Sequence, residues 1–237
     1  MKIITQVDGP PVDPREFDLP ENFSPNHIED IAEIFETPLT GHYNWDYTDA
    51  DSRIKKLYEL GKELNWDGEI DLDWSKGIAR DEYPIKPEMV ARLEGPLAAL
   101  PEEKRLEYMR HDQAWALSQF LHGEQGALLV ASQLVSCAPT YQAKLYAASQ
   151  TFDEARHVEV FSRYLQRIHG LEYPVNKNLK ALLDKTLTDP RWDLKFIGMQ
   201  IVIEGLALAA FQTTKETSNC PLLRQLVHYV IRDEARH

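Results

Sequence analysis

The chain writes the same five residues twice, Asp153-Glu154-Ala155-Arg156-His157 and Asp233-Glu234-Ala235-Arg236-His237. In each copy a carboxylate and an imidazole stand three positions apart, which places them on one face of a helix. One copy alone reads equally well as a solvated helix face with local ion pairs. Two copies prompt a search for other residues in the same register.

Moving outward, two acids stand alone in apolar helical runs. Glu124 lies in Phe120-Leu121-His122-Gly123-Glu124-Gln125-Gly126-Ala127-Leu128-Leu129, and Glu204 in Ile197-Gly198-Met199-Gln200-Ile201-Val202-Ile203-Glu204-Gly205-Leu206-Ala207-Leu208. On an ideal helix Glu124 shares a stripe with Leu117, Phe120, Leu121, Ala127, Leu128 and Ala131. Glu204 shares one with Ile197, Ile201, Ala207, Leu208 and Phe211. Such stripes face a core. An ionised carboxylate buried there is costly unless a cation meets it, so a metal ion is the natural partner.

Spacing joins these four sites. Glu124 precedes Glu154 by 154 − 124 = 30 residues, and Glu204 precedes Glu234 by 234 − 204 = 30. Breaks are expected at Ser136-Cys137-Ala138-Pro139 and at Thr217-Ser218-Asn219-Cys220-Pro221, each Pro opening the next helix at its first turn. Each pair then closes into an antiparallel hairpin with nearly equal arms. At about 1.5 Å rise per residue this brings all four Glu to one depth of a bundle. One Glu from each of two helices, with a Glu-x-x-His pair from each of two others, makes a two-metal site inside a four-helix bundle.

The order Glu, Glu-x-x-His, Glu, Glu-x-x-His resembles the ferritin-like di-iron carboxylate superfamily, over residues 101 to 237. The implied fold is all-α, with a ferritin-like four-helix bundle at residues 101–237. Residues 1–100 then form a proline-rich N-terminal extension and accessory helices packing on it. The resemblance makes Glu124, Glu154 and His157 metal ligands from one half, and Glu204, Glu234 and His237 from the other, with Glu154 and Glu234 bridging or chelating. It implies that Asp153 and Asp233 accept hydrogen bonds from the ligand His residues. Arg156 and Arg236 then pair with these Asp at i, i+3. The implied cofactor is two Fe ions, Mn or a mixed Mn/Fe pair also suiting carboxylate and imidazole donors. The implied activity is that of an O2-activating oxygenase or oxidase acting on a small organic substrate, with electrons from an external donor protein. Phe120, Phe161, Leu208 and Phe211 are candidate liners of the open side of the site.

Departures from the pattern narrow the field. Ribonucleotide reductase small subunits usually carry a Tyr four residues after the first ligand His, where this chain has Phe161. The similar ligand-binding oxidases use a Val two residues after the first Glu and a Tyr five before the third, where this chain has Gly126 and Met199. Rubrerythrins need four cysteines for a second iron module, and only Cys137 and Cys220 are present. Many arylamine N-oxygenases have an extra His one turn before the last Glu, where Val230 stands. The best-matched class is an oxygenase or oxidase similar to the N-oxygenases and the reductase-like oxidases. The alternatives are a radical or ligand-binding oxidase, a ferroxidase or metal-handling protein, and a metal-free four-helix interaction module.

Other polar residues near the motifs read as structural. His122 sits about 160° from the Glu124 stripe and His228 about 240° round from Glu234. Gln150 and Gln200 each precede a ligand Glu by one turn and are expected to satisfy neighbouring polar groups.

Composition excludes more than it selects. The net charge is 26 − 38 = −12, which disfavours nucleic acid as a partner. The longest apolar stretch, 197–211, is interrupted by Gln200 and Glu204 and is expected to be too short to span a bilayer. No signal-peptide pattern opens the chain, and two cysteines suggest no disulfide framework, so a cytoplasmic location is expected. Six of the 14 prolines fall at 10, 11, 14, 20, 25 and 38, so the first segment is expected to be extended and to wrap a surface or act as an oligomer arm, compatible with a homodimer. A helix is expected over 51–64, another over 178–186, and Gly170 is expected to end the helix carrying His157. His237 is the last residue, and a fraying terminal turn would hold an imidazole poorly. The helix is therefore expected to continue beyond it by at least two turns.

Overall fold

Four long helical segments carry the paired motifs and their partner acids. The computed structural model describes residues 2–3, 35–37, 39–41, 43–48 and 52–237. The six prolines of the expected arm, and its expected wrapping of a surface, lie outside the described residues.

A two-residue strand, β1 (Lys2–Ile3), pairs antiparallel with β2 (Leu171–Glu172), Lys2 standing opposite Glu172. Helix α1 (Ser52–Glu63) lies against the second long helix of the bundle. The chain then buries Trp66 and Leu72, makes a 3-10 turn at Trp74–Lys76, and passes through two single-turn helices, α2 (Pro87–Val90) and α3 (Gly95–Ala98). Pro87 and Pro96 stand in their first turns, where a missing N–H costs nothing.

The bundle begins with α4 (Glu102–Cys137), which turns back into α5 (Tyr141–Tyr164). Pro139 does not open α5 as the sequence suggested. Thr140 takes the N-cap, its hydroxyl accepting the Ala143 N–H at 3.2 Å, and Pro139 stays in the turn. A π-helical turn, Leu165–His169, ends α5 at Gly170, whose φ of 63° supplies the left-handed cap. Helix α6 (Lys177–Thr188) crosses α4 at Gly126, where a Cβ would collide with Leu183, so glycine permits the close approach. The buried Lys195 ammonium donates to the Thr186 and Leu187 carbonyls and so caps the C-terminal end of α6.

The third long segment joins α7 (Trp192–Phe196), a π-helical stretch Ile197–Ile203, and α8 (Glu204–Thr217) without a break. Two sequence expectations change here. First, the pieces merge into one helix of 26 residues, Trp192–Thr217, long and apolar enough to cross a membrane, where a span too short was expected. Second, Ile197 and Ile201 do not share the buried stripe of Glu204. They are exposed, and Met199 and Ile203 are buried instead. The reason is the wider turn: the Glu204 N–H bonds the Met199 carbonyl five residues back, which shifts the register by one residue. The last helix, α9 (Pro221–Glu234), has Pro221 at its first position, as expected.

Helix α4 packs along α5, and α8 along α9, so the two expected hairpins form. Apolar clusters flank Glu124 of α4 on both sides along the helix. One gathers Leu117, Leu121, Phe161, Phe211, Leu226 and Val230, and the other Ala127, Val130, Leu134, Leu183, Leu187 and Met199.

Candidate metal centre

Between those clusters the four Glu and two His converge. Glu124, Glu154, His157 and Glu234 offer ligand atoms within 4.8 Å of one another, and so do Glu154, Glu204, Glu234 and His237. The two sets share Glu154 and Glu234. Glu154 turns Oε2 toward His157 Nδ1 at 3.3 Å and Oε1 toward His237 Nδ1 at 3.1 Å. Glu234 turns Oε1 toward His157 Nδ1 at 3.1 Å and Oε2 toward His237 Nδ1 at 3.0 Å. Each shared carboxylate thus presents one oxygen to either side. Glu124 Oε2 lies 3.2 Å from His157 Nδ1, and Glu204 Oε2 lies 3.9 Å from His237 Nδ1, closing each set from its own hairpin.

Behind the imidazoles, the two halves exchange partners. His157 Nε2 faces Asp233 Oδ2 at 3.2 Å, and His237 Nε2 faces Asp153 Oδ2 at 3.5 Å. Each Asp therefore serves the His of the other hairpin, and this fixes both rings with Nδ1 toward the cluster. Arg156 bonds its own Asp153 and also Asp233 at 3.0 Å. Arg236 bonds Asp233 at 2.9 Å and Asp153 at 3.0 Å. The sequence reading identified the i, i+3 halves of this lattice but not the crossed ones, which depend on how the hairpins face. It also missed Trp66. That indole donates to Asp233 Oδ2 at 2.6 Å, and its ring lies 4.9 Å from the Arg156 guanidinium. A lone Trp in a connector carried no periodic signal.

His237 is better held than a fraying turn would allow. Its side chain is 1% exposed, and the Tyr146 hydroxyl donates to the Arg236 carbonyl at 3.0 Å and to that of His237 at 2.5 Å. His122 meets the Tyr173 carbonyl at 2.8 Å and His228 the Lys215 ammonium at 3.1 Å, both away from the cluster. Gln150 donates to Glu204 Oε1 at 3.0 Å and to Glu154 Oε1 at 3.4 Å, and Gln200 donates to Glu204 Oε1 at 3.4 Å.

Electrostatics in the cluster follow from burial. Desolvation first, then the Glu234 carboxylate, pushes Glu124 well above the ordinary carboxylate range. Glu204 is raised in the same way by burial, then Glu234 and Glu154. Burial works against ionisation of Glu154 as well, yet the His237 and His157 imidazoles overcome it and hold that carboxyl low. Burial likewise disfavours charge on His157 and His237. Glu124 acting on the first, and Glu234 and Glu154 on the second, nevertheless raise both imidazoles well above normal.

The donor set fits a pair of metal ions. Oε2 of Glu154 and Oε2 of Glu204 are buried without a hydrogen-bond partner, which is unfavourable unless something cationic meets them. Octahedral donors at about 2.1 Å from a small divalent ion stand about 3 Å apart, matching the spacings of 3.0 to 3.3 Å from the imidazoles to Glu124, Glu154 and Glu234, while Glu204 stands farther off at 3.9 Å. Oxygen and imidazole donors without thiolate suit Fe and Mn.

A cavity of ≈ 230 Å³ adjoins the cluster, reaching Glu124, Glu204 and Glu234. Phe120 and Phe211 line it, as the sequence suggested. Phe161 and Leu208 do not, and Phe161 instead stacks against Phe211 at 5.8 Å between centroids.

A family model described as p-aminobenzoate N-oxygenase AurF matches residues 47–237. Two solved structures share the fold. A variant of an R2-like ligand-binding oxidase with an anaerobically reconstituted Mn/Fe cofactor is 20% identical, with a TM-score of 0.59, over 83% of this chain and 75% of that one. An R2-like ligand-binding oxidase with an aerobically reconstituted Mn/Fe cofactor is 21% identical, with a TM-score of 0.57, over 83% and 71%. No curated protein sequence matches the chain.

Proposed function

Because the chain belongs to the p-aminobenzoate N-oxygenase family, and so to the O2-activating di-iron oxygenases and oxidases, we propose that it is a monooxygenase acting on a small organic substrate. In this reading Glu124, Glu154, His157, Glu204, Glu234 and His237 would hold the two ions, Glu154 and Glu234 being the residues common to both sets. The observation that carries the assignment is the division of the Glu154 and Glu234 oxygens between the two imidazoles. When bound, a pair of ferrous ions supplies two electrons for reduction of O2.

The chain's own residues supply the rest. Asp153 and Asp233 keep each His in the tautomer that offers Nδ1, while Arg156 and Arg236 neutralise those Asp. Gln150 and Gln200 orient Glu204. Phe120 and Phe211 exclude water from the substrate side. Turnover on this scheme needs an external electron donor, and a cytoplasmic setting agrees with the free, buried Cys137 and Cys220. The exposed row Ile197, Ile201, Val202 and Leu206 favours a homodimer, and Glu204 within that helix favours a bundle role over a membrane span. The apolar cavity against the cluster favours an organic substrate over ferroxidase activity.

Elemental analysis after anaerobic reconstitution with excess Fe(II) should give two ions per chain, and the loaded protein should consume O2 when supplied with reductant. At most one ion per chain would sink the di-iron reading.

A further inference from the structure

The cavity beside the cluster is chemically one-sided. Leu179 and Leu182 of α6, and Leu206, Ala207 and Ala210 of α8, form its wall together with the aromatic rings. Its polar liners are the carboxylates of the cluster and Gln119. The Gln119 amide is already committed to backbone: Nε2 donates to the Trp115 carbonyl at 3.3 Å and the Pro174 carbonyl at 3.2 Å, and Oε1 accepts the Asn176 N–H at 2.6 Å. Among the described residues, no Lys, Arg or His lines this space.

A para-carboxylate on an aromatic amine would therefore fit badly. With the amine at the Glu cluster, the carboxylate would lie against leucine and alanine of the wall or its apolar mouth with neither a cation nor a free N–H to meet it, and an anion that gives up water without gaining a partner is disfavoured. Size permits an uncharged ring: the ≈ 230 Å³ available exceeds the roughly 150 Å³ that holds benzene in an engineered dry cavity. The rim is apolar as well, since Leu206 lines the cavity and is 66% exposed.

We propose that the substrate is an uncharged, apolar molecule about the size of a substituted benzene, and that this chain discriminates against p-aminobenzoate. The proposal rests on the oxygenase reading and names the substrate class of that same site. The specificity-determining residues are Leu179, Leu182, Ala207 and Ala210.

Two probes isolate the charge, because p-toluidine and p-aminobenzoate differ only in methyl against carboxylate. Calorimetric titration of the Mn(II)-loaded and the metal-free protein at neutral pH should show p-toluidine binding about tenfold more tightly or better in both forms. Ala207→Trp should abolish p-toluidine binding at unchanged metal content. Leu182→Arg, which brings a cation to the wall, should shift the preference toward p-aminobenzoate. Equal or tighter binding of p-aminobenzoate by the unaltered protein, or binding of neither probe, would overturn the proposal. A metal content of at most one ion per chain would instead break the di-iron reading, while the metal-free titration would still judge the cavity.

Discussion

The shared carboxylates are the residues whose loss should be felt on both sides of the centre. Glu154 and Glu234 each direct one oxygen to each imidazole, whereas Glu124 and Glu204 each address a single set. Glu154→Ala and Glu234→Ala are expected to lose both ions, and Glu124→Ala and Glu204→Ala to lose one, as read by metal per chain. Equal losses from all four would contradict the division. Glu204→Gln should keep the fold and weaken binding, because a neutral amide there needs no counter-charge and its oxygen can still accept from Gln150 and Gln200. The four Glu and two His that converge here were legible in the sequence because their types are rare on apolar helix faces and their spacing repeats. The Trp66 indole was not, since its partner Asp233 is 167 positions away and only the folded connector brings them together.

At the scale of elements, the π-helical stretch before Glu204 sets which side chains share its face. Deleting exposed Ile201 should remove the extra residue of that wide turn and rotate the segment before Glu204 by about 100° against the rest. The expected result is a loss of thermal stability and of the ion held by Glu204, while Ile201→Ser, which keeps the length, should retain both. Melting curves and metal content of the two variants give the comparison. Ideal helical periodicity placed Ile197 and Ile201 inward, and it failed because a π turn is chosen by packing of Met199 and Ile203 rather than by local propensity. The hairpins themselves, the cap at Gly170 and the helix at Lys177–Thr188 were readable because glycine, proline and amphipathic pattern act locally. Pro139 shows the limit of that reading, for Thr140 one position later is the better cap.

For the whole molecule, the proton load of the metal-free centre links stability to pH. Glu124, Glu204, His157 and His237 all have folded values above their ordinary ones, so the folded state binds more protons than the unfolded chain. Stability from such groups is present in acid and lost as pH rises, from about 4.5 for the carboxyls and about 6.5 for the imidazoles. Glu154 and Asp233, held low, act oppositely and matter only below the ordinary carboxylate range. The melting temperature of the metal-free protein should fall between about pH 6 and pH 8, by about 2–4 °C per kcal/mol lost, and loading with Mn(II) should flatten the curve and release protons. An unchanged slope on loading would count against metals replacing those protons. The amides that bond Glu204 have a further effect. The counterpart of Gln200 in the first hairpin is Phe120, and the counterpart of Gln150 in the second is Val230. The two halves repeat the same Glu and His, and these differences make their surroundings unlike in polarity, with amides beside Glu204 and hydrocarbon at the corresponding positions beside Glu124. Two unequal seats should fill one after the other, so a calorimetric Mn(II) titration should resolve two steps.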